Sequence, residues 1–302
     1  PLLGHDLLAA ASPKVRLAWI TAGNPVAMLP DSARVAEALA QTEFVVVADS
    51  FLTDTAKRAH VVLPAPTLLE DDDLLGAYGH HWLSESRPVV APPPMVRHEV
   101  HIFQELARRV GLDSYPQVSL DDLKRMALAK VQDRGASLED LRAAGGTVAS
   151  PVSGALLFPD GKVATPNGKV QLVTEAPPSV VVDAGPHQPG DSAPLWLFSN
   201  STEKSQASIW SGKGLGEHVW VAVHPAAVPG IEDGALVEVV SPTGTVVAQL
   251  RHDAEQRNDV AIMPKGGHFD RGHSANSLIA ARPTDLGLGA AYLDCLVRIR
   301  RR

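Results

Sequence analysis

Two short polar turns carry the side chains best suited to hold a ligand in this 302-residue chain: Gly23-Asn24-Pro25 and Asp49-Ser50-Phe51-Leu52-Thr53-Asp54-Thr55. Glycine lets a backbone approach a bound group closely, and Asn24 and Asp49 supply orienting hydrogen-bond groups. That chemistry suits a nucleotide-type pocket. The G-x-G-x-x-G of a nicotinamide-binding unit is absent, which argues against a nicotinamide dehydrogenase.

Other reactive residue types are less well placed. His98 and His101 stand one turn apart, one position short of the H-E-x-x-H spacing that shares a zinc ion, so a helix flank is expected. Asp71 to Asp73 lack EF-hand spacing and read as a solvated turn. The loop Gly212-Lys213-Gly214-Leu215-Gly216 lacks phosphate-loop spacing, and His224-Pro225 reads as a turn at a strand end. Cys295, the single cysteine, has no nucleophile signature around it and reads as a buried small hydrophobe. One cysteine also excludes an internal disulfide, a cysteine-based zinc site and a four-cysteine cluster built from this chain alone.

The two ligand turns need rigid elements behind them. Apolar runs at Arg16 to Ala22, Phe44 to Ala48 and His60 to Leu63 predict parallel strands covered on both faces. Between the first two, Asp31 to Gln41 predicts a helix with Asp31 as N-cap and Val35, Ala38 and Leu39 facing the core. Both turns then fall where strands end and helices begin, the place where ligands sit in an α/β sheet. His5 to Pro13 reads as the end of a further helix.

Downstream, residues 71–97 read as a loop and His98 to Gly111 as a helix with Phe103, Leu106, Ala107 and Val110 buried. Ser119 and Ser137 cap two more helices, and Gly145-Gly146 ends the second. Residues 147–193 form a Pro/Gly/Ser-rich linker with a hairpin at Pro159-Asp160-Gly161 and Pro166-Asn167-Gly168. From residue 194 the pattern is all-β: LWLFS, VWVAV, ALVEVV, TVVAQL, VAIMP and CLVRIR, punctuated by Gly and Pro turns, predict a small barrel. The expected organisation is an α/β domain over 1–146, the linker, and a barrel over 194–302. Ser199-Asn200-Ser201-Thr202-Glu203-Lys204-Ser205-Gln206 follows the first barrel strand and is rich in hydroxyls, amides and one cation.

These pieces together resemble the molybdopterin oxidoreductases, the superfamily of formate dehydrogenase, nitrate reductase and DMSO reductase. The resemblance rests on G-N-P at Gly23 to Pro25, the D-x-F-x-T-x-T-A run from Asp49 to Ala56, A-x-V-V-L-P from Ala59 to Pro64, and Glu70. It continues in Thr165-Pro166-Asn167-Gly168-Lys169-Val170 and in His224 to Leu250, which is similar to the molybdopterin dinucleotide-binding domain. It ends in Asn276-Ser277-Leu278 and Ala291-Tyr292-Leu293-Asp294. It implies a Rossmann-like parallel-sheet domain followed by a double-psi β-barrel, together holding a bis-molybdopterin guanine dinucleotide cofactor of molybdenum or tungsten.

Under that resemblance the cofactor-binding candidates are Gly23, Asn24, Pro25, Asp49, Thr53 and Thr55 in the first domain. In the barrel they are Ser199, Ser201, Thr202, Lys204, Ser205, Gln206, Asn276 and Tyr292. A carboxylate such as Asp49 can accept two hydrogen bonds from guanine N1 and N2, and the Ser199 loop can wrap phosphate and pterin. Asn276 and Tyr292 are carried over from family positions that contact pterin. His268 is a weaker candidate, and the resemblance implies that the loop carrying His80-His81 lines the groove toward the cofactor. No catalytic residue and no metal ligand is assigned, because the family's metal-ligating side chain and iron–sulfur motif lie in a first half that these residues do not match. The expected partner is that half, on the same chain or a separate subunit, with an electron-transfer partner beyond it, and the isolated chain is expected to bind without turnover. Pro1 in place of Met reads as a fragment or processed product. The competing reading is a non-catalytic assembly module that keeps the fold, as in some respiratory-complex subunits.

Acidic residues outnumber basic ones, 34 against 27, giving a net charge of −7. That balance argues against a nucleic-acid partner held by a broad basic face. No apolar run reaches the ~20 residues of a membrane helix and no signal peptide opens the chain, so a cytoplasmic location is expected, with a periplasmic one open.

Overall fold

A computed structural model of the chain describes residues 15–76, 79–152, 154, 156, 158, 160–172, 182–185, 187–203, 206–209, 216–284 and 289–302. The chain divides into two compact units, Pro1–Val62 with Pro177–Arg302, and Leu63–Ala176. The expected helix over His5 to Pro13 lies outside the described residues.

In the first unit, β1 (Leu17–Thr21) and β2 (Phe44–Asp49) pair in parallel, in a three-stranded sheet of order β1-β2-β3 with β3 at Val61–Pro64. Two helices lie between β1 and β2: a single turn, α1 (Pro25–Met28), and α2 (Ser32–Gln41). Proline at the first helical position fixes φ without sacrificing a needed N–H, which starts α1 at Pro25. Asp31 caps α2 as its sequence position predicts, accepting from Arg34 N at 3.4 Å. Val35, Ala38 and Leu39 are buried. Burial on both faces holds only for β2, however. Val61 and Val62 are each 38% exposed and Leu17 is 56% exposed, because β1 and β3 are the edge strands of a narrow sheet.

The remainder of this unit is a closed six-stranded barrel. Its strands are β7 (Leu195–Asn200), β8 (Val219–Val223), β9 (Leu236–Val240), β10 (Thr245–His252), β11 (Val260–Pro264) and β12 (Leu296–Arg301), in the order β10-β8-β11-β7-β12-β9. All six fall on the runs read from sequence. The pairs β10/β8 and β11/β7 are parallel and the other pairings antiparallel. Strict alternation puts Leu195 and Leu197, Val219, Val221 and Val223, and Val297 and Ile299 into one apolar core. Each such side chain contributes roughly 1.5–3 kcal/mol on burial.

Among the described residues the second unit holds a three-stranded antiparallel sheet and three α-helices, and here the sequence reading needs correction. Residues expected as loop and linker form β4 (Asp73–Leu75), β5 (Trp82–Ser86) and β6 (Thr147–Ala149). These strands are too short and too mixed in polarity to show a period. Their apolar face, Leu74, Leu83 and Val148, packs on Leu128, Leu138 and Leu141. Those leucines come from α4 (Leu120–Leu128) and α5 (Leu138–Ala143), capped by Ser119 and Ser137 as expected. The preceding helix α3 (Glu99–Arg109) buries Ala107, but Leu106 and Val110 are exposed, against the predicted stripe. Gly111, at φ +71°, ends it. Among the described residues no helix is long and apolar enough to cross a membrane.

Candidate cofactor-binding site

The Gly23 and Asp49 turns stand at the C-terminal ends of the paired strands β1 and β2, as the parallel register requires. Asn24 is buried, and its Oδ1 accepts from both Thr55 N (3.2 Å) and Thr55 Oγ1 (2.7 Å). Thr55 Oγ1 in turn accepts from Val26 N at 3.1 Å, in the first turn of α1. Asn24 and Thr55 therefore knit the two turns together. Thr53 Oγ1 caps the next turn by accepting from Ala56 N at 3.1 Å. Asp49 is half-exposed, and among the described residues its Oδ1 alone is engaged, by Phe51 N at 2.9 Å. Beside it Phe51 and Leu52 are 71% and 66% exposed. A β-carbon on Gly23 would meet only Thr21 O, at 3.6 Å, so the space above this glycine is open.

The barrel loop after β11 closes on the same place. Asn276 is fully buried and donates through Nδ2 to Ala27 O at 2.8 Å, while its backbone carbonyl accepts from Asp31 N at 3.0 Å. Half-buried Tyr292 donates to Met28 O at 2.7 Å, and burial pushes its phenol above the ordinary value. Ser32 and Ser274 hydroxyls lie 3.2 Å apart. The last carbonyls of α1 are thus held by the barrel.

The loop after β7 joins through backbone bonds: Lys265 N donates to Asn200 O (2.8 Å) and Gly267 N to Ala207 O (3.1 Å). Gly266 permits this approach, since a β-carbon there would stand 2.0 Å from Ala207 O. Ser201 Oγ donates to Gln206 Oε1, and Gln206 pairs with Ile209 in a short bridge. Thr202 is half-buried. Lys204 and Ser205 lie outside the described residues, as does most of the Gly212 to Gly216 loop. Ser199 points inward at the end of β7. Its Oγ, like Asn276 Oδ1 and His273 Nδ1, is a buried polar atom that finds no partner among the described residues.

Sequence reasoning did not single out Asp54, Arg58 or Asp270. Asp54, fully buried, accepts from Phe269 N and Asp270 N, both at 3.2 Å. Arg58 donates to Asp54 O and to Asp270 Oδ1, each at 2.7 Å, and its guanidinium stands 5.3 Å from the Phe269 ring centroid. That guanidinium, with Lys57 beside it, lowers the Asp270 carboxyl to about 2. Partners more than two hundred positions apart leave no local signal.

His224 Nδ1 accepts from Ala226 N at 3.1 Å, as a strand-end turn should. Cys295 is buried, with its Sγ 3.2 Å from Leu278 O, and burial raises its thiol to about 12. His80 and His81 belong to the second unit. Chemically, the turns and loops of the first unit are bonded to one another as a polar cradle in which, among the described residues, Ser199 Oγ and Asn276 Oδ1 have no partner. This arrangement can bind and orient a ligand rich in N–H donors.

Residues 5–109 match the family model of molybdopterin oxidoreductase, and residues 198–296 match that of the Molydopterin dinucleotide binding domain. A probable oxidoreductase, YyaE of Bacillus subtilis, is 25% identical over 98% of this chain and 47% of its own. Biotin sulfoxide reductase of Cereibacter sphaeroides is 26% identical over 95% of this chain and 45% of its own. Among solved structures, acetylene hydratase from Pelobacter acetylenicus superposes with a TM-score of 0.73 at 21% identity, over 98% of this chain and 46% of that one. The chain spans about half the length of these relatives. With two domain models matched in sequence order, and relatives of this kind along nearly its whole length, the chain belongs to the molybdopterin oxidoreductase family.

Proposed function

We propose that this chain holds the dinucleotide tails of a bis-molybdopterin guanine dinucleotide cofactor, as part of a molybdenum- or tungsten-dependent oxidoreductase. The observation that carries the reading is the cradle in which, among the described residues, Asp49 Oδ2 has no hydrogen-bond donor and Ser199 Oγ and Asn276 Oδ1 are buried without partners. Buried polar atoms are almost always satisfied, so such a pair calls for a ligand or water. The donor set fits the group: guanine and pterin rings present N–H donors, and these residues present acceptors. Phe51 and Leu52 add apolar surface beside Asp49 on which a flat ring can rest. The two parallel pairs within the six-stranded barrel support assigning it to the double-psi type.

Asp49 would hold the guanine edge, while Ser199, Asn276 and the loop from Ser201 to Gln206 would orient pterin and phosphate. The family's cofactor, when bound, supplies two-electron redox chemistry at its metal. These residues supply position and exclude water from the buried acceptors. The metal ligand, any iron–sulfur cluster, the substrate-selecting residues and the electron partner are assigned to polypeptide other than these 302 residues.

The test is to purify the protein and assay what it releases on denaturation. Fluorescent oxidised pterin together with guanosine monophosphate is expected, and Asp49→Ala should lower both at least about tenfold, since a lost charged acceptor weakens binding by roughly 1.5–3 kcal/mol. A protein free of pterin and guanine, and of molybdenum and tungsten by elemental analysis, would instead support the assembly-module reading.

A further inference from the structure

Asp54 is fully buried, yet it touches none of the open space beside Asp49. Both its oxygens are turned to the barrel: Oδ2 accepts from Phe269 N and Oδ1 from Asp270 N, with His268 Nδ1 3.7 Å from Oδ2. Two neighbouring amide donors facing one side chain require a group that only accepts. An ionised carboxylate meets that need and an amide does not, because its NH2 would oppose one of the donors. Taking a carboxylate out of water is costly, so a staple of this kind is a demanding choice where a hydroxyl or an apolar contact would hold two elements together.

The position of the staple gives it a role. On the side of its own turn, the adjoining Thr55 is locked to Asn24, and the half-exposed Asp49 carboxylate lies five residues upstream. On the barrel side, the loop that Asp54 grips runs on through His273 to Asn276, whose Oδ1 is an acceptor with no partner among the described residues. Arg58 reinforces the joint from the flank, bonded to the Asp54 carbonyl and to the Asp270 carboxylate. We propose that Asp54 is a positioning residue: it sets the distance between the Asp49 turn and the Asn276 loop, so that both engage one dinucleotide. This inference rests on the cofactor reading given above and assigns Asp54 no contact with the cofactor itself.

The experiment compares cofactor retained by the intact protein, as pterin and guanosine monophosphate released per chain, in wild type, Asp54→Asn, and a barrel-core variant, Ile299→Val, matched for loss in urea midpoint. The core variant controls for stability, because Ile299 lies in the barrel interior and outside the cradle. Asp54→Asn is expected to lower retained cofactor about tenfold while Ile299→Val stays within about twofold of wild type. Hydrogen exchange at the Phe269 and Asp270 amides should quicken only in the Asp54 variant. Should Asp54→Asn fail to fold, Arg58→Ala removes the partly exposed brace and is expected to lower retention about threefold. Retention at the wild-type level in the folded Asp54 or Arg58 variant, or equal losses in Asp54→Asn and Ile299→Val, would overturn the positioning role. A wild-type protein that retains no cofactor would remove the reading of the site itself.

Discussion

Thr55 spends both its backbone N–H and its hydroxyl on one atom, Asn24 Oδ1, at 3.2 and 2.7 Å. Each residue is buried, so neither water nor a neighbour can replace the other. This bond pair, and not the backbone of the Gly23 turn, fixes how the two strand-end turns meet.

Removing either partner should therefore strand a buried polar group. Asn24→Ala leaves the Thr55 N–H and hydroxyl unsatisfied, and Thr55→Val leaves Val26 N bare and Asn24 Oδ1 with the backbone N–H of residue 55 alone. Each is expected to cost about 1–3 kcal/mol, with the double variant costing about as much as the worse single one. Urea unfolding checks this: the midpoint should fall at constant slope, and additive losses would mean the two residues act separately.

In the second unit Glu85 is the centre of a buried charge network. Its side chain is 1% exposed and lies 2.7 Å from Arg142 and 3.0 Å from Lys124, whose ammonium also contacts Asp72. Hydrogen bonding from Arg142 first, then Lys124, holds its carboxyl below the ordinary value. The sign follows: this contribution is complete above the unfolded value, roughly 4.3, and is lost as pH falls through the lower folded value. Glu85→Gln should cost about 3–5 kcal/mol at pH 7 and flatten the acid limb of the stability curve. An unaltered acid limb would assign acid unfolding to other carboxylates.

Gly266 gives a sharper contrast among glycines. It adopts φ +80°, and a β-carbon would stand 2.0 Å from Ala207 O, whereas Gly234, at φ +82°, has no heavy atom within 4 Å of that position. Gly234→Ala should cost only the left-handed strain, about 1–2 kcal/mol. Gly266→Ala must in addition push the loop after β7 off the barrel loop, and should cost well beyond that and quicken hydrogen exchange at Gly267 N. Equal costs would show that the Ala207 loop yields freely.

How far the sequence discloses this molecule follows from the range of each interaction. The barrel strands are legible because Val219-Trp220-Val221-Ala222-Val223 and its counterparts alternate with a period that burial dictates. Ser119, Ser137 and Asp31 are legible as caps because a cap bonds within its own first turn. The strands β4, β5 and β6 are not, since Trp82 to Ser86 carries three polar residues and its partner β6 lies far along the chain. In the cradle, composition marks Asn24 and Asp49 as polar groups at turns, while Asn276 enters through the resemblance to the family. Composition does not separate Asn24, engaged within the protein, from Asp49, with capacity to spare. Asp54 stands inside the Asp49 to Ala56 run, yet its partners at Phe269 and Asp270 cannot be inferred from either end alone.

Cys295 closes the argument from burial to measurable chemistry. Its Sγ lies 3.2 Å from Leu278 O, beside a cavity of about 220 Å³ lined by Pro242, Thr243, Leu278, Arg282 and Asp294. Burial, with Asp294 adding to it, pushes the thiol up to about 12. Since the unfolded thiol ionises near roughly 8.5, the native state is favoured in full below that pH and loses about 1.4 kcal/mol per pH unit above it. Stability measured between pH 8 and 10 should fall along this slope, and Cys295→Ala should remove the slope while lowering stability at neutral pH by about 1–2 kcal/mol. Iodoacetamide should label the native chain at a rate that tracks unfolding, because only the thiolate attacks. Fast labelling at pH 7 would show instead that the cavity admits water and ionises the thiol in the folded protein.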